Sequence, residues 1–461
     1  MANDNTATKP QWWALRGLRT LFQETPILGL VNKQFAPALA RAGDQVNAYR
    51  AAKRITRRKD ATDENTELDT TTIAVPVVLD QYFFDSFVIN DEEDALSITE
   101  LDRLHFTRAI QTIAQGVSRA ILGRSHAFLR QGTPAKRAGR LNAITKDNAA
   151  DFILEAEQVL ADNKAPLGGV WAAVVHHTAN TKLMRSETFE RADSRMSDGT
   201  VMTGRVGKVY NTNIVMSQDV NYADNSLTDK VDKAVNNSGG YSAGHATAIT
   251  VDGEATNFTV GEYVMIAGND QPTFATAATA ATSVTLNEPL KYAVLDDAVV
   301  YHYLTVANEA VTRAAGYKKF MTFTHNSGKA LQQGQIISFG TGASRHTYTI
   351  IEVDTDNATA TTTPVLLDRP LEAQVASGAA AFPGPGGSMN PVMHPEAITF
   401  VSRPMRAKAG RGVRSAVVNF QGVGLRVQEA DELKASGTRY VFDLLAGVSV
   451  LDEDLLCVML A

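Results

Sequence analysis

The stretch YRAAKRITRRKDATDENTELDTTTIAVPVVLDQYFFDSFVIND, Tyr49 to Asp91, decides how this sequence is read. Five cations, Lys53, Arg54, Arg57, Arg58 and Lys59, are followed by five anions, Asp60, Asp63, Glu64, Glu67 and Asp69, and then by a long apolar run. The charged part has the composition of a solvated loop. In the apolar part the odd positions Ile73, Val75, Val77, Leu79, Phe83, Phe87 and Ile89 face one way, interrupted by Gln81 and Asp85, while Thr72, Asp80, Ser86 and Asn90 face the other. That period predicts one half-buried strand of roughly 55–60 Å at ~3.3 Å per residue. Strands within a domain run to about 5–6 residues, and Pro76, which cannot donate to a ladder, puts part of this one at a sheet edge.

Outward from this stretch, the chain has 461 residues, of which 44% are hydrophobic, enough for two or three domains with their own cores. The start, MANDNTATKPQWWALRGLRTLFQ, has no apolar signal core, and no window reaches the ~18 apolar residues of a membrane span. Synthesis in a cytoplasm without secretory processing is the expectation. A net charge of −6 argues against a dedicated nucleic-acid binder. The single cysteine, Cys457, excludes intrachain disulfides and thiolate metal clusters.

The first ~45 residues read as an arm, with Trp12, Trp13 and Phe22 as aromatic anchors. After the acidic run Asp91–Asp94 comes SITE, a capping box in which Ser97 caps and Glu100 reaches back. Phe106, Ile110, Ile113, Val117, Ile121 and Phe128 then form one apolar stripe, predicting a helix over Ser97–Phe128 that reaches ~45 Å. NAADFILEAEQVLADN predicts a second helix, and GGVWAAVVHHT a buried strand. Asn221 to Met389 differs in texture and contains a repeat. VGEYVMIAG (Val260–Gly268) parallels QGQIISFG (Gln333–Gly340), and Val284, Leu286, Pro289, Leu290 and Val294 align with Val365, Leu367, Pro370, Leu371 and Val375. Two tandem β modules that fold semi-independently are expected.

The search for chemistry finds little. The sequence has no phosphate loop, nucleophile elbow or H-E-x-x-H helix. His176 and His177 would point to opposite faces of a strand and so could not readily share an ion. Gly199, Gly204 and Gly207 lack the strand-turn-helix context of a dinucleotide site and read as tight turns. The clusters Asp91–Asp94 and Asp452–Asp454 lack the glycine of a calcium loop. No catalytic, cofactor-binding or metal-binding residue is assigned.

The order of arm, charged excursion, long strand, long helix, β region and terminal β segment resembles that of the tailed-bacteriophage major capsid proteins of the Hong Kong 97-type fold. The wording is most similar to the group with an inserted domain typified by the Salmonella podovirus coat protein. The carrying residues are Gly43-Asp44-x-Val46, Asp91-Glu92-Glu93, TGRVGKVYNTNIVMSQDV (Thr203–Val220) and RYVFDLLAG (Arg439–Gly447). The resemblance implies an α+β fold: an N-terminal arm (1–48), an extended β-hairpin loop (49–90), a peripheral domain with a spine helix (91–147) and an axial domain (148–220). It further implies an all-β insertion (221–389), a return to the axial domain (390–430) and C-terminal peripheral strands (431–461). The implied function is self-assembly, through hexamers and pentamers, into a virion's icosahedral shell around double-stranded DNA. The implied partners are other copies of the chain, a scaffolding protein, a portal, a decoration protein as a further candidate, and packaged DNA in weak non-specific contact; no membrane and no cofactor are implied. Subunit-contact roles fall to Lys53, Arg54, Arg57, Arg58, Lys59, Asp63, Glu64, Glu67, Phe83 and Phe87. Rival readings are a protein-filled nanocompartment shell of the same fold, a tail or fibre protein, and a hydrolase using His176 or His177.

One exposed ion pair is worth only ~0.2–1 kcal/mol, but a shell repeats it at every contact. Changing Arg57, Arg58 and Lys59 together to Glu is therefore expected to leave monomer melting nearly unaltered while stopping shell formation, scored by negative-stain electron microscopy at low salt. Converting Asp63, Glu64 and Glu67 to Lys in the same chain is expected to restore shells in part.

Overall fold

The computed structural model describes residues 9–34, 45–50, 72–90, 105–129, 137–138, 149–167, 171–186, 207–224, 230–246, 248–252, 258–267, 273–279, 283–287, 289–290, 292–341, 344–407, 413–420, 422–432 and 437–460. The fold is α+β. The chain forms two compact units: Met1–Glu24, Val31–Ala114 and Glu396–Glu453 make the first, and Thr25–Leu30, Gln115–Pro395 and Asp454–Ala461 the second.

In the first unit, residues 73–90 form two strands rather than the single long one expected. Ile73–Val78 pairs antiparallel with Gln45–Arg50, with Gln45 opposite Val78 and Arg50 opposite Ile73. Gln81–Asn90 pairs instead with Gly437–Ala446, from Gln81 opposite Ala446 to Asn90 opposite Gly437. A period of two reports which side chains are buried, not which neighbour supplies the ladder, and the chain changes neighbours at Leu79–Asp80. Pro76 lies opposite Asn47 in a sheet that has two strands among the described residues, so its missing N–H breaks no second ladder. The hairpin is held at its base, where Ala48, Val77 and Leu79 pack with Val401, Leu445 and Leu451.

The strand Gly437–Val450 is the centre of this unit. It pairs with Gln81–Asn90, with Val423–Glu432 and, through its last six residues, with Ile398–Arg403. A Cβ at Gly447 would collide with the Val78 carbonyl, so only glycine lets the hairpin approach here. Arg426 lies opposite Asp443 in the ladder, and they are 7% and 1% exposed. The Arg426 Nε donates to the two carboxylate oxygens at 2.9 and 3.1 Å and Nη2 donates to Oδ2 at 2.5 Å, while the Tyr82 hydroxyl donates to Oδ2 at 3.0 Å. Desolvating a carboxylate is tolerable only with this density of donors.

Helix α1, Lys9–Glu24, lies on the strands Val413–Phe420 and Val423–Glu432. It buries Trp13, Ala14, Leu18 and Leu21, and Trp13 stacks on Phe106 at 3.7 Å between ring centroids. Trp12 does not anchor the arm as expected: it is 47% exposed on the opposite side. Helix α2, Thr107–Leu122, follows a wide turn at His105–Phe106 and carries the expected stripe, with Phe106, Ile110, Ile113, Val117 and Ile121 all buried. The capping box and acidic run at 91–104 lie outside the described residues. The α-helix described is about 24 Å long, and at its C-terminal end, where the expected helix continues to Phe128, the chain tightens instead to a 3-10 helix at Gly123–Leu129. There the Gly123 carbonyl, instead of continuing the helix, takes hydrogen bonds from the Thr349 hydroxyl and the His126 ring.

The second unit is built on a mixed sheet in the order Arg137–Ala138, Leu456–Leu460, Gly387–Met393, Trp171–Val175, Thr212–Met216 and Lys208–Val209. Trp171–Val175 is buried throughout and runs parallel to Thr212–Met216, as its unbroken apolar run requires. Helix α3, Ala149–Asp162, covers Leu456–Leu460, and α4, His177–Met184, follows Trp171–Val175. Of residues 390–430, grouped by sequence with one domain, Asn390–Met393 ends a strand of this sheet, whereas Ile398–Arg403 and Val413–Phe420 pair in the first unit. Leu456–Leu460 correspondingly joins the second unit's sheet.

The repeat in the sequence is two barrels of one topology. Val306–Asn308, Met321–Thr324, Thr362–Leu367, His346–Val353, Ile336–Phe339 and Ala380–Pro383 close the second barrel. The first has the same strand order, from Lys230–Ala234 through Val299–Tyr303, Tyr263–Ile266, Thr273–Thr279 and Ser283–Leu286 to Ala248–Thr250, and is closed by the single bridge Val235–Val251. Equivalent pairs recur: Ile249–Val284 matches Met321–Val365, and Tyr241–Val294 matches Arg313–Val375. Val284, Leu286, Leu290 and Val294 line one core, and Val365, Leu367, Leu371 and Val375 the other. Tyr222–Ala223 pairs with Gly387–Ser388 in the main sheet, so the barrels proper run from Lys230 to Pro383, inside the expected 221–389.

Removing one partner of a buried ion pair typically costs 3–5 kcal/mol, whereas an apolar pair of similar volume is often neutral. Asp443→Leu is expected to lower stability by about that amount in urea unfolding, and Arg426→Met with Asp443→Leu to recover most of it.

Candidate functional site

Among the described residues, no group of three His, Cys, Asp or Glu side chains could hold a metal ion, and no helix is long and apolar enough to cross a membrane. The candidate site is a surface, marked by the exposed and stacked rings of Tyr82 and Phe84. Lys53, Arg54, Arg57, Arg58, Lys59, Asp63, Glu64 and Glu67 lie outside the described residues. Phe83 and Phe87 are half-buried on the inward phase of their strand. Phe87 is spent on its own unit, packing against Phe106, Tyr440 and Phe442 with centroids 5.2, 5.7 and 6.2 Å away.

The outward phase is what the sequence reasoning missed. Tyr82 and Phe84 are 48% and 61% exposed, and their rings stack at 5.8 Å. On the hairpin, Tyr49, Ile73 and Val78 are exposed as well. The signal was in the run Tyr82-Phe83-Phe84, where aromatics occupy both phases of a strand that has one core-facing side. The hydroxyl of Tyr82 is fixed by Asp443, so this outer face is held rather than loose.

Within the second unit, a polar anchor joins the second barrel to the end of α2. Asp368 is fully buried; its Oδ1 accepts from the Thr349 N–H at 2.9 Å and its Oδ2 from Arg369 Nη1 at 3.0 Å, with Arg124 Nη1 at 3.7 Å. Burial pushes the Asp368 carboxyl up, but Arg369, Arg124 and the Thr349 N–H together hold it below its ordinary range. Arg369 Nη1 also donates to His126 Nε2 at 3.3 Å, which leaves the proton of a neutral ring on Nδ1, facing the Gly123 carbonyl. Burial, then the Arg369 charge, lowers His126 from 6.5 to about 4. The second barrel is thus bonded to the helix end through buried groups.

His176 ends the strand Trp171–Val175 and caps α4, accepting from the Thr178 N–H at 3.4 Å. The two histidine rings are therefore adjacent, with centroids 3.9 Å apart, not on opposite faces as a continuing strand would place them. Burial, then His177, lowers His176 to about 4, and its ring stacks on Tyr222 at 4.5 Å. Beside it is a cavity of about 180 Å³ with a polar lining that includes Arg119, 3.5 Å from Asp219, and Asn221, which donates to the Leu122 carbonyl at 3.1 Å. Such a lining suits ordered water. Asp452 is paired with Arg50 at 3.1 Å. Gly207 takes φ of 72° in the tight turn before Lys208–Val209, as expected, while Gly199 and Gly204 lie outside the described residues.

No protein-family model matches the sequence, and no curated protein matches it. Solved structures do match along most of the chain. A chain from Mycobacterium phage Che8 is 11% identical with a TM-score of 0.43, covering 94% of this chain and 90% of that one. A chain from the capsid structure of the cyanophage P-SCSP1u is 10% identical with a TM-score of 0.41, covering 92% and 84%. One from the mature capsid of bacteriophage PhiM1 is 11% identical with a TM-score of 0.38, covering 93% and 86%.

The two lowered histidines set a pH dependence. Between pH 6.5 and about 4 the unfolded chain binds protons at His126 and His176 that the folded chain refuses, so stability is full above 6.5 and falls as the pH drops towards 4. The buried His126 accounts for ~3 kcal/mol of this at most. Thermal midpoints are expected to decline across that window, and the double variant His126→Gln, His176→Gln to flatten the decline.

Proposed function

We propose that this chain is a major capsid protein, many copies of which build the icosahedral shell enclosing the double-stranded DNA of a tailed bacteriophage. The observation that carries this reading is the strand path 73–90. From Val75 on its inward apolar side chains pack into the chain's own core, and its outward side chains Val78, Tyr82 and Phe84 stay exposed, on a hairpin of two strands among the described residues and on a sheet. A two-stranded hairpin is marginal alone, and large aromatics aligned on a rigid strand are the composition of a buried contact. A second copy of the chain is the partner that supplies such a contact at every position of a closed shell. The element order of the Hong Kong 97-type capsid proteins supports the same reading, with the charged segment 53–67 meeting a neighbour's loop.

On this reading the role is structural, not enzymatic. A scaffolding protein and a portal complete the assembly, and packaged DNA is enclosed with weak, salt-dependent contacts. Electron microscopy of the purified, overexpressed chain tests the proposal: closed shells support it, and monomers under all assembly conditions refute it. Nucleic acid rather than protein inside shells from infected cells separates it from a nanocompartment.

Because Phe84 is mostly exposed, Phe84→Ser is expected to change the folding free energy by less than ~0.5 kcal/mol while sharply raising the concentration needed for assembly, measured by light scattering. Ile89→Ser, on the buried phase, is expected to do the reverse, lowering the melting temperature first.

A further inference from the structure

Among the described residues of the first unit, two half-buried charges of opposite sign, Asp85 and Arg403, have no partner within the chain. Asp85 interrupts the inward phase of the strand Gln81–Asn90, flanked on its face by the half-buried Phe83 and Phe87, where an apolar side chain would continue the core. The other acids described in this unit are held within the chain, as Glu432 is by Arg439 at 3.0 Å, or, like Asp431, are exposed. Arg403 ends the strand Ile398–Arg403, and its Nη1 is buried without a hydrogen-bond partner among the described residues.

The ladders fix where these two groups stand. Arg403 lies opposite Leu445, and Leu445 lies opposite Tyr82 on its other side, so the three form one row across three strands. Arg403 therefore shares a face with the exposed Tyr82 and Phe84. Asp85 lies opposite Phe442, three residues before Leu445, and so belongs to the other face. The two cannot meet within one sheet.

Neither charge serves the stability of its own unit. A buried donor left unsatisfied is costlier than an apolar group of the same shape, and a carboxylate beside aromatic rings is poorly solvated. What they share is complementarity, since a guanidinium receives a carboxylate through paired N–H groups. Gln81–Asn90 has no second ladder neighbour among the described residues, which puts Asp85 at a rim of the sheet. With acceptor and donor on opposite faces, the rim of one copy can rest on the outer face of the next, and the contact repeats head to tail. DNA phosphates would satisfy Arg403 but repel Asp85.

We infer that Asp85 of one copy pairs with Arg403 of the next, beside the Tyr82 and Phe84 rings of that second copy. The inference rests on the shell reading and names the groups that set the register between copies.

The test uses the full chain carrying Asp85→Lys, Arg403→Glu or both, with assembly followed by light scattering and folding by thermal melting. Each single variant sets like charges against each other and is expected to raise the concentration needed for assembly about tenfold or more. The double variant is expected to recover most of the loss. An equal mixture of the two single variants is expected to recover it as well, because each presents to the other the sign it lacks, and a contact inside one chain could not be rescued in this way. Asp85→Leu and Arg403→Met introduce no new charge, and are expected to leave melting unchanged or raised while still weakening assembly. The inference alone is overturned if wild-type chain forms shells and the single variants do so equally well, if neither the double variant nor the mixture recovers assembly, or if the Leu and Met variants lose assembly only by melting lower. Wild-type chain that stays monomeric overturns the shell reading and this pairing together.

Discussion

The ladder between Gln81–Asn90 and Gly437–Ala446 is the constraint on which the first unit depends. It ties the strand leaving the hairpin to a strand near the other end of the sequence, and it does so on the open side of a strand already paired with Val423–Glu432. Three strands in that order bring Tyr82, Asp443 and Arg426 together, so that a buried carboxylate gains its donors only when both ladders are in register. A slip of one residue would reverse every side chain of 81–90 and place Phe87 in water. Because the pairing is so distant in sequence, its loop-closure entropy must be overcome before any of its contacts form.

Much of this was legible as phase and little of it as partnership. The odd positions of 73–90 and the stripe from Phe106 to Ile121 depend on burial alone, and periodicity reports burial. The switch of neighbours at Leu79–Asp80 depends on the lengths of two other strands. The end of α2 at Gly123 depends on Thr349 and Asp368, which arrive from a barrel far along the chain. His176 failed for a local reason: its side chain caps the next helix, and a cap ends the alternation on which the opposite-face argument relied. Trp12 and Trp13 are indistinguishable by composition, and only the surface on which α1 lies separates them.

The two barrels show the same limit from the other side. Their aligned apolar residues were readable because a barrel core tolerates few alternatives, but their polar interiors have diverged. Glu262 accepts from the Thr259 N–H at 2.9 Å just as Gln335 accepts from the Gln332 N–H at 3.2 Å, so the turn is shared. At this position the first barrel adds a buried histidine, His302, 3.3 Å from that carboxylate, where the second has Pro383 opposite Ile337; the second barrel's buried His325 bonds instead with the Thr363 hydroxyl at 2.7 Å. One backbone plan thus carries an ionisable pair in one copy and an amide in the other. The second copy instead spends its charged residues outside its core, on the anchor of Asp368 and Arg369 to the end of α2.

The outer aromatics of 81–90 are not independent of the interior. Tyr82 is about half exposed, yet its hydroxyl is one of the donors on which the buried Asp443 relies, and Phe84 stacks on its ring. A partner that packs on this face while keeping Tyr82 in place stabilises the hydrogen bond and with it the register of three strands. A partner that displaces Tyr82 must leave a buried carboxylate one donor short, at a cost of about 1–3 kcal/mol. The strand therefore favours contacts that fit its existing geometry over those that would remodel it, and that preference comes from a charge buried beneath the surface that the partner touches.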